Sequence, residues 1–247
     1  MASRQAPTAA QLRKVGVSDP ASAAKALGAI EGICGTTVVE VPGMLAQVAD
    51  PDLAIGQLLR LAESARDSGQ LASLTALKGK GAGARLVAIL GGSDALGDFL
   101  VLHPEALSVL GEDGMGEVAA GARAALLGAV GADPEAACPV ASLAGPEGID
   151  ALRVEYRRRL LRVAAEDLTT PNPLLVLPEV AEALADLAAA ALEAGLALAR
   201  ADEPHHAETR LAIIAMGKCG ARELNYVSDV DVIYVAEPAE GVEDSQS

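Results

Sequence analysis

The residues with the strongest chemical signature lie near the end of the chain. An apolar run, residues 211–216, meets Gly217-Lys218, and eleven residues after the lysine Asp229-Val230-Asp231 opens a second apolar run reaching Val235. In an extended strand successive side chains alternate faces, so Asp229 and Asp231 point one way and Val230 and Val232 the other. Carboxylates so paired can bridge divalent cations. At Gly217 the missing Cβ lets a phosphate approach the backbone, Lys218 adds a positive charge, and Gly220 permits a further sharp turn. Phosphates held over that turn would lie beside carboxylates holding Mg²⁺, which usually needs only one or two protein carboxylates plus phosphate oxygens. Two such ions, about 3.5–4 Å apart, can stabilise both the attacking and the leaving oxygen of an in-line displacement at phosphorus.

Positioning these residues requires a strand on either side of the turn. Both flanking runs are continuous and apolar, as strands buried on two faces are. The rest of the chain reads as helix. Of its 247 residues only Phe99, Tyr156, Tyr226 and Tyr234 are aromatic and none is Trp, so Leu, Ala and Val must fill the interior, which favours helix against helix. A net charge of −15, from 34 acidic against 19 basic side chains, opposes binding to a nucleic-acid backbone. Three widely spaced cysteines, Cys34, Cys138 and Cys219, come without a secretory signal or an apolar span of membrane length. A soluble protein of the reducing cytoplasm, with no membrane partner, is expected.

In chain order, Asp19-Pro20 and Asp50-Pro51 are helix starts, the first opening a helix to about Leu27 and the second a broad apolar face through Leu53, Ile55, Leu58, Leu59 and Leu61. Residues 69–110 read as short helices cut at residues 78–81, at residues 91–94 and at His103-Pro104, and another helix is expected over 116–130. Residues 131–148 are turn-rich and form the weakest internal boundary. A helix over 149–168 carries Arg153, Arg157, Arg158, Arg159 and Arg162; a solvated face of paired charges is the first reading and a surface for an anionic partner the second. The three prolines within 169–178 predict an elbow, followed by a long helix to about Arg200 and a polar hinge at 202–206. The helical region thus covers 1–204, and 205–247 holds the strands, the turn and an acidic, loop-like tail.

An Asp-x-Asp alone would mark a strand end or turn. Here it follows a strand and a Gly-Lys turn, an order that resembles the DNA polymerase β-like nucleotidyltransferases. The longer run, Gly217-Lys218-Cys219-Gly220 and then residues 222–231 (Arg-Glu-Leu-Asn-Tyr-Val-Ser-Asp-Val-Asp), closely resembles the bacterial glutamine synthetase adenylyltransferase/adenylyl-removing enzymes. Upstream, Leu96-Gly97-Asp98-Phe99-Leu100, His103-Pro104-Glu105 and the arginine-rich helix are similar to the helical region that precedes the motif in that family. The resemblance implies a mainly α chain, an N-terminal helical bundle followed by the first part of an α/β nucleotidyltransferase core, truncated within that core.

It further implies an enzyme with two nucleotidyltransferase domains, one removing AMP from a tyrosine of glutamine synthetase by phosphorolysis to ADP and the other adding AMP from ATP. The long helical region ahead of the motif suggests the N-terminal, adenylyl-removing half. On that reading Asp229 and Asp231 are catalytic Mg²⁺ ligands, Gly217, Lys218 and Gly220 the nucleotide and phosphate turn, and Ser228 a support for the carboxylate strand. Glu223 and Asn225 are structural or substrate-positioning. Adenylylated glutamine synthetase, nucleotide, phosphate and a PII signal protein are the expected partners. Ala221 stands where the family usually has glycine, so strain is expected there if the position needs a positive φ. The family's further strands and third carboxylate would follow the Asp pair.

Two other readings stay open: a nucleotidyltransferase with another acceptor, and a non-catalytic helical module that binds glutamine synthetase or PII. Cys219 reads as a bystander thiol, and His205-His206 as exposed hinge residues rather than metal ligands.

Overall fold

The computed structural model describes residues 7–38, 43–77, 81–111 and 121–242. The chain divides into two compact units, Met1–Asp113 with Ala164–Pro173, and Gly114–Val163 with Leu174–Ser247.

The first unit contains α1 (Ala9–Lys14), α2 (Pro20–Cys34), α3 (Pro51–Asp67), α4 (Leu71–Ala76), α5 (Ala82–Gly92), α6 (Asp94–Leu102) and a 3-10 stretch, Pro104–Gly111. Both Asp-Pro starts form. Asp19 accepts from the N–H groups of Ala21 and Ser22 at 3.0 and 3.1 Å, and Asp50 from that of Leu53 at 2.9 Å. The proline after each occupies a position whose N–H would have had no helical partner. α2 runs past Leu27 to Cys34, where Gly35, in the left-handed region, ends it.

α3 is the central helix: Ile55, Leu58, Leu61, Ala62 and Ala65 are buried, and it packs against α2, α5 and α6. On the same helix the buried Gln57 donates to Asp94 and Asp98 at 3.3 and 3.4 Å and accepts from Arg60 at 3.0 Å. Its amide is thereby satisfied, as a polar group taken from water must be. Gly97 leaves room for it, because a Cβ there would lie 2.9 Å from Gln57 Cδ. Ser93 caps α6, and His103-Pro104 stops it. Of the expected cut at 78–81, residues 78–80 lie outside the described residues.

The second unit holds α7 (Ala122–Ala129), most of α8 (Gly145–Thr169), nearly all of α9 (Pro173–Asp202), β1 (Thr209–Ala215), the single turn α10 (Gly217–Gly220) and β2 (Val232–Pro238). Residues 116–120 of the helix expected to reach 130 lie outside the described residues. Leu126 and Leu127 of α7 pack with Leu187, Ala190, Ala194 and Leu198 of α9, flanked by Leu152 and Tyr156 of α8. The alanines give α9 a shallow face, and Gly148 lets α8 come close: a Cβ there would lie 2.4 Å from Leu198 Cδ2. The turn-rich connection spans 131–144, anchored where Leu143 N–H donates to Val130 O at 3.2 Å. Along α8, Arg153 pairs with Asp150 at 3.5 Å, and Arg158 and Arg159 with Glu155 at 3.6 and 3.0 Å, so these three arginines follow the paired-charge reading.

Two expectations need correction. The elbow is confined to residues 170–172, with Pro173 starting α9 and Pro178 inside it. One proline costs the ladder a single N–H bond, near an exposed helix start where Leu174 and Leu175 face solvent, and the helix is held from Val180 onward by buried residues. Nor are the strands buried on both faces. β1 and β2 pair antiparallel from Thr209↔Pro238 to Ala215↔Val232. β1 alternates half-buried and exposed residues, whereas β2 is exposed almost throughout, including Ile233, Tyr234 and Val235. Among the described residues the sheet has only these two strands, so apolar composition alone does not cover both faces.

Candidate nucleotide and metal site

β1 delivers the chain to the turn, and the ladder continues one step beyond the paired strands: Met216 N–H donates to Asp231 O at 2.9 Å. Gly217 follows with φ 53°, in the left-handed region that glycine adopts without steric cost. A Cβ built on Gly217 would lie 3.5 Å from Asp231 Oδ2, so the turn and the carboxylate are neighbours. The chain then makes one helical turn. Gly220 N–H donates to Met216 O and Ala221 N–H to Gly217 O, both at 3.0 Å, and Glu223 N–H donates to Lys218 O at 2.8 Å. Gly220 is required by space: a Cβ would sit 2.4 Å from the Ala215 carbonyl oxygen.

Two apolar anchors fasten the turn to the helices. Cys219 and Leu224 are buried in a cluster with Val163 of α8 and Val180, Ala183 and Leu184 of α9, and Ala215 and Val230 pack against the same cluster. Val230 faces inward while Asp229 and Asp231 are exposed, which is the alternation expected of an extended segment. The pair immediately precedes β2 rather than opening it. Ser228, half-buried, adjoins the pair in sequence.

Lys218 Nζ donates to Asn225 Oδ1 at 3.2 Å, and Asn225 Nδ2 donates to Val227 O at 3.1 Å. Asn225 therefore holds the lysine of the turn, whereas Glu223 is joined to the turn through its backbone and its side chain is exposed. Among the described residues no ion pair joins Lys218 to Asp229 or Asp231, and no three His, Cys, Asp or Glu side chains gather as a metal site. The two aspartates are exposed, hard oxygen donors beside a glycine turn, a donor set suited to Mg²⁺ that keeps waters and phosphate oxygens in its remaining positions.

The strain expected at Ala221 is absent. Its φ of −82° is right-handed, because Ala221 closes the helical turn. The left-handed residue is the next one, Arg222, with φ 59°, the one non-glycine with positive φ among the described residues. That conformation costs a side-chain-bearing residue about 1–2 kcal/mol. Its guanidinium lies 2.6 Å from Glu182 and 2.7 Å from Asp186 on α9. Burial raises Asp186 above the usual carboxylate range, an effect that Arg222 opposes and Glu182 reinforces. No spacing rule marked Arg222; its signal was a long cation following the small residue of a turn otherwise built from glycines.

Burial, and then the charge of Asp186, push the Cys219 thiol up, and the side chain packs in the apolar cluster. His205 is exposed, as expected of a hinge residue, and bonds to Glu208 at 2.8 Å.

Residues 83–247 match the family model of glutamate-ammonia ligase adenylyltransferase. The chain belongs to this family. The glutamate-ammonia ligase adenylyltransferases are nucleotidyltransferases. Three similar relatives carry the name bifunctional glutamine synthetase adenylyltransferase/adenylyl-removing enzyme. That of Bifidobacterium longum subsp. infantis is 40% identical over 98% of this chain and 23% of its own length. That of Cutibacterium acnes is 47% identical over 77% of this chain and 19% of its own. That of Nocardia farcinica is 43% identical over 92% of this chain and 23% of its own. The chain thus spans less than a quarter of the length of these relatives. No solved structure matches it. Among the described residues no helix is long and apolar enough to cross a membrane.

Proposed function

We propose that this chain carries the phosphate turn and the carboxylate pair of the adenylyl-removing half of a glutamine synthetase adenylyltransferase. The observation that carries the reading is the bond from Met216 to Asp231, which brings the glycine turn beside the exposed aspartates. The resemblance of residues 217–231 points to the family, and the helical region ahead of them favours the removing activity over the adding one. Addition of AMP from ATP would then belong to a second domain in a longer polypeptide.

In the reaction an oxygen of inorganic phosphate attacks the phosphorus of the AMP–tyrosine ester. The bond from phosphorus to the tyrosine oxygen breaks, that oxygen takes a proton, and ADP leaves. Gly217 leaves room for phosphate oxygens at the backbone, and Lys218, released from Asn225, offsets their charge. Asp229 and Asp231 would hold Mg²⁺. The ion, when bound, screens the phosphate charge and stabilises the charge that develops on the attacking and leaving oxygens. Ser228 supports the segment bearing the pair, and a third carboxylate from a following strand would complete the donor set. Adenylylated glutamine synthetase is the protein substrate, a PII protein a regulatory partner, and the cytoplasm the compartment.

The test is incubation of the enzyme, extended to the length of its relatives, with adenylylated glutamine synthetase, phosphate and Mg²⁺. Phosphate-dependent release of ADP is expected; no ADP, or release that ignores phosphate, contradicts the proposal.

A further inference from the structure

Arg222 combines two features that rarely coincide. It holds a left-handed backbone without being glycine, and one of its guanidinium nitrogens lies within 2.7 Å of both Glu182 and Asp186, one helical turn apart on α9. A strained conformation persists only where its surroundings over-determine it. Here the surroundings are those two carboxylates, together with Cys219 and Leu224, buried on either side of the arginine in sequence. We propose that Arg222 is a positioning residue, the polar tether that keeps the glycine turn, and through it Lys218 and the Asp229/Asp231 segment, docked on α9. Opening the tether would let residue 222 relax toward negative φ. That relaxation strains the neighbouring bond from Glu223 N–H to Lys218 O, and so moves Lys218.

An exposed ion pair in a relaxed backbone would contribute little, and the coupling to backbone strain separates the two cases. Cys219 reports the docking, because its thiol is covered only while the turn is seated. In the full chain carrying Cys34→Ser and Cys138→Ser, the rate of Cys219 labelling by a thiol reagent is measured below the thermal transition and, because Asp186 itself raises the thiol, is taken per thiolate from the pH dependence of each variant. Glu182→Gln with Asp186→Asn removes the partners while the docked turn still requires the left-handed arginine, so undocking relieves the strain and labelling is expected about fivefold faster. Arg222→Gly cuts the tether but also removes the strain, so its rate stays within about twofold of the parent. Adding the two carboxylate substitutions to Arg222→Gly then changes nothing further, the non-additivity of a direct interaction. Unchanged labelling in the carboxylate variant, or an equal acceleration in both backgrounds, overturns the tether.

The consequence for catalysis rests on the proposed function. In the extended enzyme the carboxylate variant is expected to raise KM for inorganic phosphate more than it lowers kcat. Faster labelling with an unchanged KM refutes the positioning role. Absence of ADP from the parent enzyme contradicts the proposed function alone, and the labelling still decides the tether.

Discussion

Met216 donates its backbone N–H to the carbonyl of Asp231 at 2.9 Å, and this bond joins the two halves of the candidate site. It sets the end of β1 against the carboxylate segment before β2, so the phosphate proposed to bind at Gly217 would lie beside Asp231. Asp229 follows by alternation, with Val230 turned into the apolar cluster between the two aspartates.

The two glycines of the turn differ in what they forbid. Gly220→Ala would drive a Cβ into the Ala215 backbone carbonyl, which no rotamer change relieves; a loss of about 3 kcal/mol, the upper end of overpacking costs, is expected. Gly217→Ala has room but keeps a left-handed backbone, and should lose about 1 kcal/mol. Chemical denaturation of the two variants checks the order, with Gly220→Ala the weaker protein.

The first unit offers a matching pair. Gly97→Ala would place its methyl 2.9 Å from Gln57 and disturb the bonds from that amide to Asp94 and Asp98, for a loss of about 1–3 kcal/mol. Gly28 lies in α2 with nothing within 4 Å of its would-be Cβ, so Gly28→Ala should gain about 0.5–1 kcal/mol. Opposite shifts in the unfolding midpoint are the expected readout.

Asp98 supplies a pH dependence. Hydrogen bonds from Arg60 and then Gln57 hold its carboxyl below the usual range. A folded-state pKa below the unfolded one means that the contribution to stability is complete above the ordinary aspartate pKa, and is lost as pH falls through the lowered folded value. Stability measured from pH 6 downward should therefore fall less steeply for Asp98→Asn than for the parent protein, with the difference confined to the acid side.

Much of this was legible from residue patterns. The Asp19-Pro20 and Asp50-Pro51 starts formed because cap and proline act locally, and Val230 between two aspartates reported its own alternation. What failed depended on distant partners. Strand composition could not say that Ile233, Tyr234 and Val235 would lie on a two-stranded sheet with exposed faces. Proline counts overstated the elbow, since Pro173 sits where helices accept proline and Pro178 costs one bond near an exposed start. The strain assigned to Ala221 fell one residue later, on Arg222, because Ala221 was needed to close the helical turn. Only Glu182 and Asp186, some forty residues upstream, make the left-handed arginine intelligible.

The role proposed for Asp229 and Asp231 is to hold Mg²⁺ beside the glycine turn. Its most direct test is phosphate-dependent ADP release from adenylylated glutamine synthetase by the extended enzyme carrying Asp229→Asn or Asp231→Asn, with helical content followed by circular dichroism. Loss of ADP formation in both variants, by at least about a hundredfold (some 2.7 kcal/mol in the barrier), with unchanged helical content, is predicted. ADP release near the parent rate from both folded variants would contradict the account.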